Sequence, residues 1–244
     1  MDRLIYTVMA GGNMLTQRQD TIAQNLANVG TTGFRAELDA FRAVPVVGPG
    51  SPTRVASVET TTGADFTQGT LQKTGNPLDA AIDGEGFFAV QGSDGSEAYT
   101  RDGSFVIGSD GTLQTKSGFA VLGDGGPINI PPNTQVTIGR DGTVTGIQPG
   151  GATVSLARLK LVKPDPTDLE RSPDGLFRTK SGDTASTDET VKLVPETLEN
   201  SNVNPVESLV SMISVARQFD TNMKLLDEAD QNASKATELL SITS

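Results

Sequence analysis

The sequence predicts an α+β fold in which long N- and C-terminal helices pair as an antiparallel coiled coil around a central antiparallel β domain. Three observations predict it. Apolar residues recur at helical spacing at both ends of the 244-residue chain, helix breakers concentrate in the middle, and short apolar runs there alternate with Asp-Gly pairs. Of 27 glycines, four fall in residues 1–41 and none in 201–244, while 12 of the 13 prolines fall in 42–200. The expected organisation is an N-terminal helix over 1–41, an extended connector over 42–75, a β domain over 76–200 and a C-terminal helix over 201–244.

At the N-terminus, Val8, Leu15, Ile22 and Val29 repeat every seven residues, with Ile5 and Leu26 flanking the same stripe. A helical seam needs that spacing. Gly11 and Gly12 each cost about 1 kcal/mol relative to Ala in a helix, which predicts ends that fray in the monomer and order on assembly. Two readings of Asn25 and Asn28 stay open: hydrogen bonds at close helix contacts, or termination of the helix ahead of Gly30.

The connector contains Pro45, Pro49, Pro52 and the run Thr60-Thr61-Thr62-Gly63, and is expected to hold at most short strands. After it, strands are predicted near residues 87–90, 99–100, 105–107, 112–114, 120–122, 136–138, 144–147 and 154–162. Asp-Gly pairs beginning at 94, 102, 110 and 141 fall between them, as type I′ turns favour. Leu159 and Leu161 are out of phase with Val154 and Leu156, so a bulge or strand end is expected near Ala157. Residues 163–190 read as a polar surface excursion.

The C-terminal helix has a defined start. Asn204 can cap, Pro205 suits the first helical position, and Glu207 stands three after the cap. Beyond it, Leu209, Ala216 and Met223 occupy one predicted seam position, and Met212, Phe219, Leu226, Ala233 and Leu240 the other. Nothing breaks the helix up to Leu240, which makes a rod of roughly 55 Å at 1.5 Å per residue. Such a rod needs a partner for its apolar stripe, and the other terminal helix is the first candidate by length and periodicity.

Chemistry is mostly excluded. The chain has no His and no Cys, so catalytic triads, thiolate or imidazole metal sites and disulfides are ruled out. No phosphate loop or dinucleotide fingerprint is present. The formal charge of −11 disfavours nucleic-acid binding, and no segment is long and apolar enough for membrane insertion. The expected catalytic, cofactor and metal residues are therefore none. One carboxylate pair, Asp83 and Glu85, keeps a glycan hydrolase as a competing reading, and a β-rich adhesin is another.

Three segments resemble the flagellar axial protein family of rod and hook subunits. Asn25-Leu26-Ala27-Asn28-Val29-Gly30-Thr31-Thr32-Gly33-Phe34-Arg35 is similar to that family's helix running into a Gly-Phe turn. Residues 75–88, Gly-Asn-Pro-Leu-Asp-Ala-Ala-Ile-Asp-Gly-Glu-Gly-Phe-Phe, followed by Tyr99-Thr100-Arg101-Asp102-Gly103, resemble the opening of its β domain. Residues 198–207 and Ala216-Arg217-Gln218-Phe219-Asp220 look like its C-terminal helix.

The resemblance implies a non-enzymatic rod subunit that crosses the periplasm and is exported through the flagellar type III apparatus without a cleaved signal peptide. It further implies helical polymerisation with copies of itself and with other rod subunits, the terminal helices forming the inner core. Residues 121–128 and 159–162, and the short connector after Phe41, are more like a proximal than a distal rod subunit. The expected interface is Val8, Leu15, Ile22, Asn25, Leu26, Asn28 and Val29 on the first helix. On the second it is Leu209, Met212, Ala216, Phe219, Met223, Leu226 and Leu240, with Gly33 and Phe34 as the family turn.

Overall fold

The computed structural model describes residues 2–45, 55–148 and 151–242, with side chains described for 7–42, 44–45, 63–148, 151–232 and 234–235. The chain forms two compact units. One comprises Met1–Ala27, Glu37–Ala64 and Asn204–Ser244, and the other Asn28–Ala36 and Asp65–Val203.

The first unit contains helix α1 (Asp2–Ala27), strands β1 (Glu37–Pro45) and β2 (Val55–Ala64), and a long C-terminal helix (Pro205–Ile242). The first helix ends at Ala27 rather than continuing toward residue 41. Asn28 closes a turn there, its carbonyl accepting from the Thr31 amide at 3.1 Å. The expected connector instead starts with a long hairpin, in register from Glu37 opposite Ala64 to Pro45 opposite Val55, with a bulge at Ala40/Phe41. The three prolines argued for a loop, but β-branched Val55, Val58 and Thr60 to Thr62 favour extended backbone. Asn25 seats the hairpin on α1. Its side-chain amide donates to the Glu37 carbonyl at 3.0 Å and its oxygen accepts from the Glu37 amide at 2.7 Å. Thr21 adds a 2.7 Å bond from its hydroxyl to Asp39.

The second unit is β-rich. Its strands are β3 (Leu71–Lys73), β4 (Ala80–Asp83), β5 (Phe87–Gln91), β6 (Glu97–Thr100), β7 (Phe105–Ile107), β8 (Leu113–Thr115) and β9 (Ala120–Gly123), followed by β10 (Gly126–Pro127), β11 (Gln135–Ile138), β12 (Thr143–Ile147), β13 (Thr153–Arg158) and β14 (Leu161–Val162). The last four are β15 (Leu169–Arg171), β16 (Phe177–Thr179), β17 (Lys192–Pro195) and β18 (Thr197–Glu199). All pairings among the described residues are antiparallel. The largest sheet runs β15-β16-β6-β5-β9-β8-β7, with β10 on β9 and β14 on β5. A second sheet is β11-β12-β13, and two pairs, β17-β4 and β18-β3, bring the end of the domain back against its beginning.

Phe88, Phe105, Leu113, Val121, Val144 and Leu159 lie in one buried cluster, and the rings of Phe88 and Phe105 meet edge to face at 5.2 Å. Strand β12 alternates buried and half-exposed residues, whereas β5 is buried along its first four residues because it is covered on both faces. The phase break near Ala157 is a bulge. Val144 pairs with Ala157 but Thr145 pairs with Ser155, which leaves Leu156 as the extra residue, and the strand then ends at Arg158.

Three of the four Asp-Gly pairs, at 94, 110 and 141, are turns of a different type from the one expected, while Asp102-Gly103 lies in irregular backbone ahead of β7. Gly95, Gly111 and Gly142 have φ near +80°, but no Asp does, and type I′ requires both central residues at positive φ. In each loop the glycine amide bonds back three residues, to Gly92, Gly108 and Gly139, as in a type I turn followed by a bulged glycine. The Asp side chain accepts from the amide two residues on, at 3.0 Å for Ser96 and 3.1 Å for Thr112 and Thr143. The Thr143 hydroxyl, and then its amide, hold the Asp141 carboxyl below its ordinary value.

Candidate assembly surface

The C-terminal helix, α2, is 38 residues long, about 57 Å. Asn204 caps it, its side-chain oxygen accepting from the amides of Val206 at 3.1 Å and Glu207 at 3.3 Å. The helix lies beside α1 within the first unit. Asn222 donates from its side-chain amide to the Val8 carbonyl at 2.9 Å, and a Cβ on Gly12 would stand 3.3 Å from that same amide. The Gly11-Gly12 pair, costly to an isolated helix, makes room for the Asn222 side chain.

The expected coiled-coil pairing is corrected by these contacts: the α+β class stands, but the described structure is two helices and a large antiparallel β domain without two meeting apolar seams. On α1 the row Val8, Leu15, Ile22 is half-buried to buried, with Leu15 6% exposed. On α2, Met212, Phe219 and Leu226 are half-buried. The companion row is not Leu209, Ala216 and Met223, which are exposed. One residue earlier, Ser208, Val215 and Asn222 take that place, and only Val215 is closed off, at 2%. A polar Ser and a polar Asn thus stand where a coiled coil needs apolar knobs. A one-residue step turns a helix by 100°, and heptad counting cannot choose between adjacent rows when both contain apolar residues. The Leu240 and Ala233 side chains lie outside the described residues.

The displaced row joins an unpartnered apolar face. Val206 is 69% exposed, Val210 62%, Ile213 54%, Leu209 48% and Met223 47%. The first four fall within two turns at spacings of three and four, so they form one patch rather than scattered side chains. Beside the patch, a groove of about 640 Å³ is lined by Gly11, Met14 and Leu15 of α1 and by Val210, Ile213 and Leu225 of α2.

The remaining expected residues make contacts within the chain or stand part-exposed. Asn25 and Leu26 are half-buried at the end of α1, and Asn25 holds β1. Asn28 and Val29 belong to the second unit, and the Asn28 side chain accepts from the Thr31 hydroxyl at 3.1 Å. Gly33 sits at φ +68°, and a Cβ there would meet the Arg101 carbonyl carbon at 2.4 Å. Its amide donates to the Glu199 carbonyl at 2.7 Å. Only glycine tolerates both constraints. The Phe34 ring lies under the Arg171 guanidinium at 4.5 Å.

Sequence reasoning missed what stands at the centre of this turn. Arg35 and Arg101 flank Glu199, all with side chains at most 2% exposed, at 2.7 and 2.6 Å. The signal was present: Arg35 and Glu199 both fall inside motif segments quoted above. Asp83 and Glu85 are exposed, and Glu85 pairs with Lys163 at 2.8 Å.

Three family models match parts of the chain. The flagella basal body rod protein model matches residues 5–35, the flagellar hook protein FlgE/F/G D1 domain matches 81–146, and the flagellar basal body rod FlgEFG protein C-terminal model matches 194–239. The chain is 42% identical to the flagellar basal-body rod protein FlgF of Salmonella typhimurium over 252 residues, covering all of both chains. It is 33% identical to FlgF of Caulobacter vibrioides over 98% of each chain. It is also 35% identical to the flagellar basal-body rod protein FlgG of Buchnera aphidicola, over 90% of this chain and 93% of that one. The chain therefore belongs to the flagellar basal-body rod protein family, as a FlgF-like structural subunit and not an enzyme.

Proposed function

We propose that this subunit occupies the proximal rod, within the periplasm, and polymerises helically with copies of itself and with other rod subunits to transmit torque. The observation that carries the reading is the apolar face of α2 from Val206 to Ile213, unpartnered in the single chain. Burying each such side chain contributes about 1.5–3 kcal/mol, so a few of them repeated at every subunit contact resist shear along a shaft. The interface residues divide into two classes on this reading. Val8, Leu15, Ile22, Leu26, Met212, Phe219 and Leu226 shape the subunit's own helix pair, while Leu209, Ala216 and Met223, with Val206, Val210 and Ile213, meet other chains. Gly33 and Phe34 set the turn after α1, and export through the flagellar type III apparatus delivers the chain.

Ile213→Asp tests the reading, because the side chain is exposed in the monomer. The variant should keep the wild-type far-ultraviolet circular dichroism and melting curve, yet be missing from purified basal bodies, with motility lost. Normal recovery of the variant in basal bodies would sink the proposal.

A further inference from the structure

Seven Asp-Gly pairs occur in the chain, beginning at 83, 94, 102, 110, 124, 141 and 174. Asp-Gly is the dipeptide best suited to cyclise, because glycine has no Cβ to shield its amide and lets the peptide rotate. In that reaction the glycine nitrogen attacks the aspartyl Cγ. It needs a free carboxyl, a free amide and room to turn.

Six of the pairs lack at least one of these. Asp94, Asp110 and Asp141 accept from the hydroxyls of Ser96, Thr112 and Thr143 at 2.7, 2.9 and 2.7 Å, besides the amides already described, and the glycine amides that follow them are bonded back. Asp174 accepts from the Leu176 amide at 3.2 Å and pairs with Arg178 at 2.9 Å, while the Gly175 amide donates to the Ser172 carbonyl at 2.9 Å. Asp102 accepts from the Ser104 amide and hydroxyl at 3.0 and 2.6 Å, and Gly103 is buried hard against the Ala80 carbonyl. Asp83 is paired in β4 opposite Lys192, and the Gly84 carbonyl accepts from Arg101 Nη1 and Nη2 at 2.9 Å each.

Asp124-Gly125 differs. Strands β9 and β10 pair Gly123 with Gly126 and Leu122 with Pro127, which leaves Asp124 and Gly125 as the whole of the loop. Both are exposed, and among the described residues no group bonds the Asp124 carboxyl or the Gly125 amide. A Cβ on Gly125 or Gly126 would meet nothing within 4 Å, so the peptide has room to rotate. The bond from the Asp124 amide to the Arg158 carbonyl at 3.2 Å fixes only the other side of that residue.

We propose that Asp124-Gly125 is the site of spontaneous isoaspartate formation in the folded protein. The Gly125 nitrogen bonds to Asp124 Cγ and gives up its proton, and one carboxyl oxygen leaves as water. The cyclic imide then takes up one water. Opening at the former main-chain carbonyl leaves the chain running through Cβ, with a free α-carboxylate at Asp124 and the mass unchanged. The extra methylene lengthens the loop that sets the β9–β10 register, and with it the placing of buried Ile128, whose amide donates to the Val121 carbonyl at 3.2 Å.

The test stores the full-length protein for weeks at neutral pH, folded or unfolded in guanidinium chloride, then maps tryptic peptides by electron-transfer mass spectrometry, which separates isoaspartate from aspartate. Residues 117–140 carry Asp124-Gly125 as their single Asp-Gly pair, and residues 141–158 carry Asp141-Gly142. In the folded protein Asp124 should convert at about its unfolded rate, and Asp141 at least about tenfold more slowly than unfolded, because each hydrogen bond that must open slows the step about fivefold. Asp124→Glu, whose ring closure is disfavoured, should abolish the product in 117–140. It should also prevent the faster Ile128 amide exchange expected of stored wild type. Equal slowing of Asp124 and Asp141 by folding overturns the proposal, as does any other Asp-Gly pair outpacing Asp124. Unchanged Ile128 exchange in the isomerised protein overturns the effect on register.

Discussion

The β unit and the helical unit handle apolar surface in opposite ways. In the β unit, Phe88, Phe105, Leu113 and Val144 are closed to solvent at 1% or less, and the sheets enclose them without help from another chain. In the helical unit, α2 leaves Val206, Leu209, Val210 and Ile213 between 48% and 69% exposed. The β unit's most exposed large apolar side chains, Leu71, Val106, Ile107, Ile147 and Val154, reach only 37% to 42%. The helical unit leaves its own more open, on the face proposed above to meet other subunits. The comparison teaches that two units of one chain can close off apolar surface to different degrees.

The strongest way to break this comparison is to unbalance the buried ion cluster. Glu199→Gln leaves Arg35 and Arg101 buried without a counter-charge and should cost about 3–5 kcal/mol in urea unfolding of the β unit. A loss below about 1 kcal/mol would mean that the cluster does not hold this turn. Next in size is a matched pair of truncations. Leu113→Ala should cost about 2–5 kcal/mol by opening a cavity, whereas Ile213→Ala should stay within about 0.5 kcal/mol in the monomer, as exposed substitutions do. Equal losses at the two positions would remove the distinction between a closed core and an exposed face.

Asn25→Ala tests the helical unit's internal order. It removes both bonds to the Glu37 backbone and should cost roughly 1–2 kcal/mol at about 1 kcal/mol per bond, read as faster amide exchange at Glu37 with the β unit unchanged. The smallest effect is electrostatic. Burial, with Glu97 nearby, pushes the Tyr99 phenol up to about 12 from 10.0, although the Ala185 amide bond pulls the other way. The proton is thus held more tightly in the folded state. This contribution is complete below pH 10 and fades as pH rises toward 12, so stability should decline across that window. Ultraviolet titration of a Tyr6→Phe variant, in which Tyr99 is the remaining tyrosine, checks the value; ionisation near 10 would contradict the burial argument.

Local patterns were legible where one element suffices to create them. The Asn204 cap, the phase break that proved to be a bulge at Leu156, and half of the β strands could be read from neighbouring residues, because capping, alternation and turn chemistry act over a few positions, whereas β15 and β16 lie inside the stretch expected to be a polar surface excursion and carry the buried Leu169 and Phe177 in the largest sheet. The β1/β2 hairpin was hidden by its prolines, since Pro45 ends a strand as readily as it marks a loop. The Asp-Gly loops at 94, 110 and 141 were placed correctly but typed wrongly, and Asp102-Gly103 is no turn at all. A dipeptide favours a turn, whereas the backbone bonds to Gly92, Gly108 and Gly139 decide which turn it is.

The candidate surface divides along the same line. That α2 is long, capped and apolar-striped follows from its sequence alone, as do the absence of His and Cys chemistry and the family motifs. Which row of α2 faces α1 does not, because Leu209 and Ser208 differ by one step of 100° and the choice depends on Asn222 reaching the Val8 carbonyl past Gly12. Nor could the sequence join Arg35, Arg101 and Glu199, which lie 66 and 98 residues apart in succession. Only the return of β17 and β18 against β4 and β3 brings Glu199 to them. Periodicity and capping are properties of a single helix or strand, whereas facing and ion pairing are properties of two surfaces in contact, and contact is made by the tertiary fold.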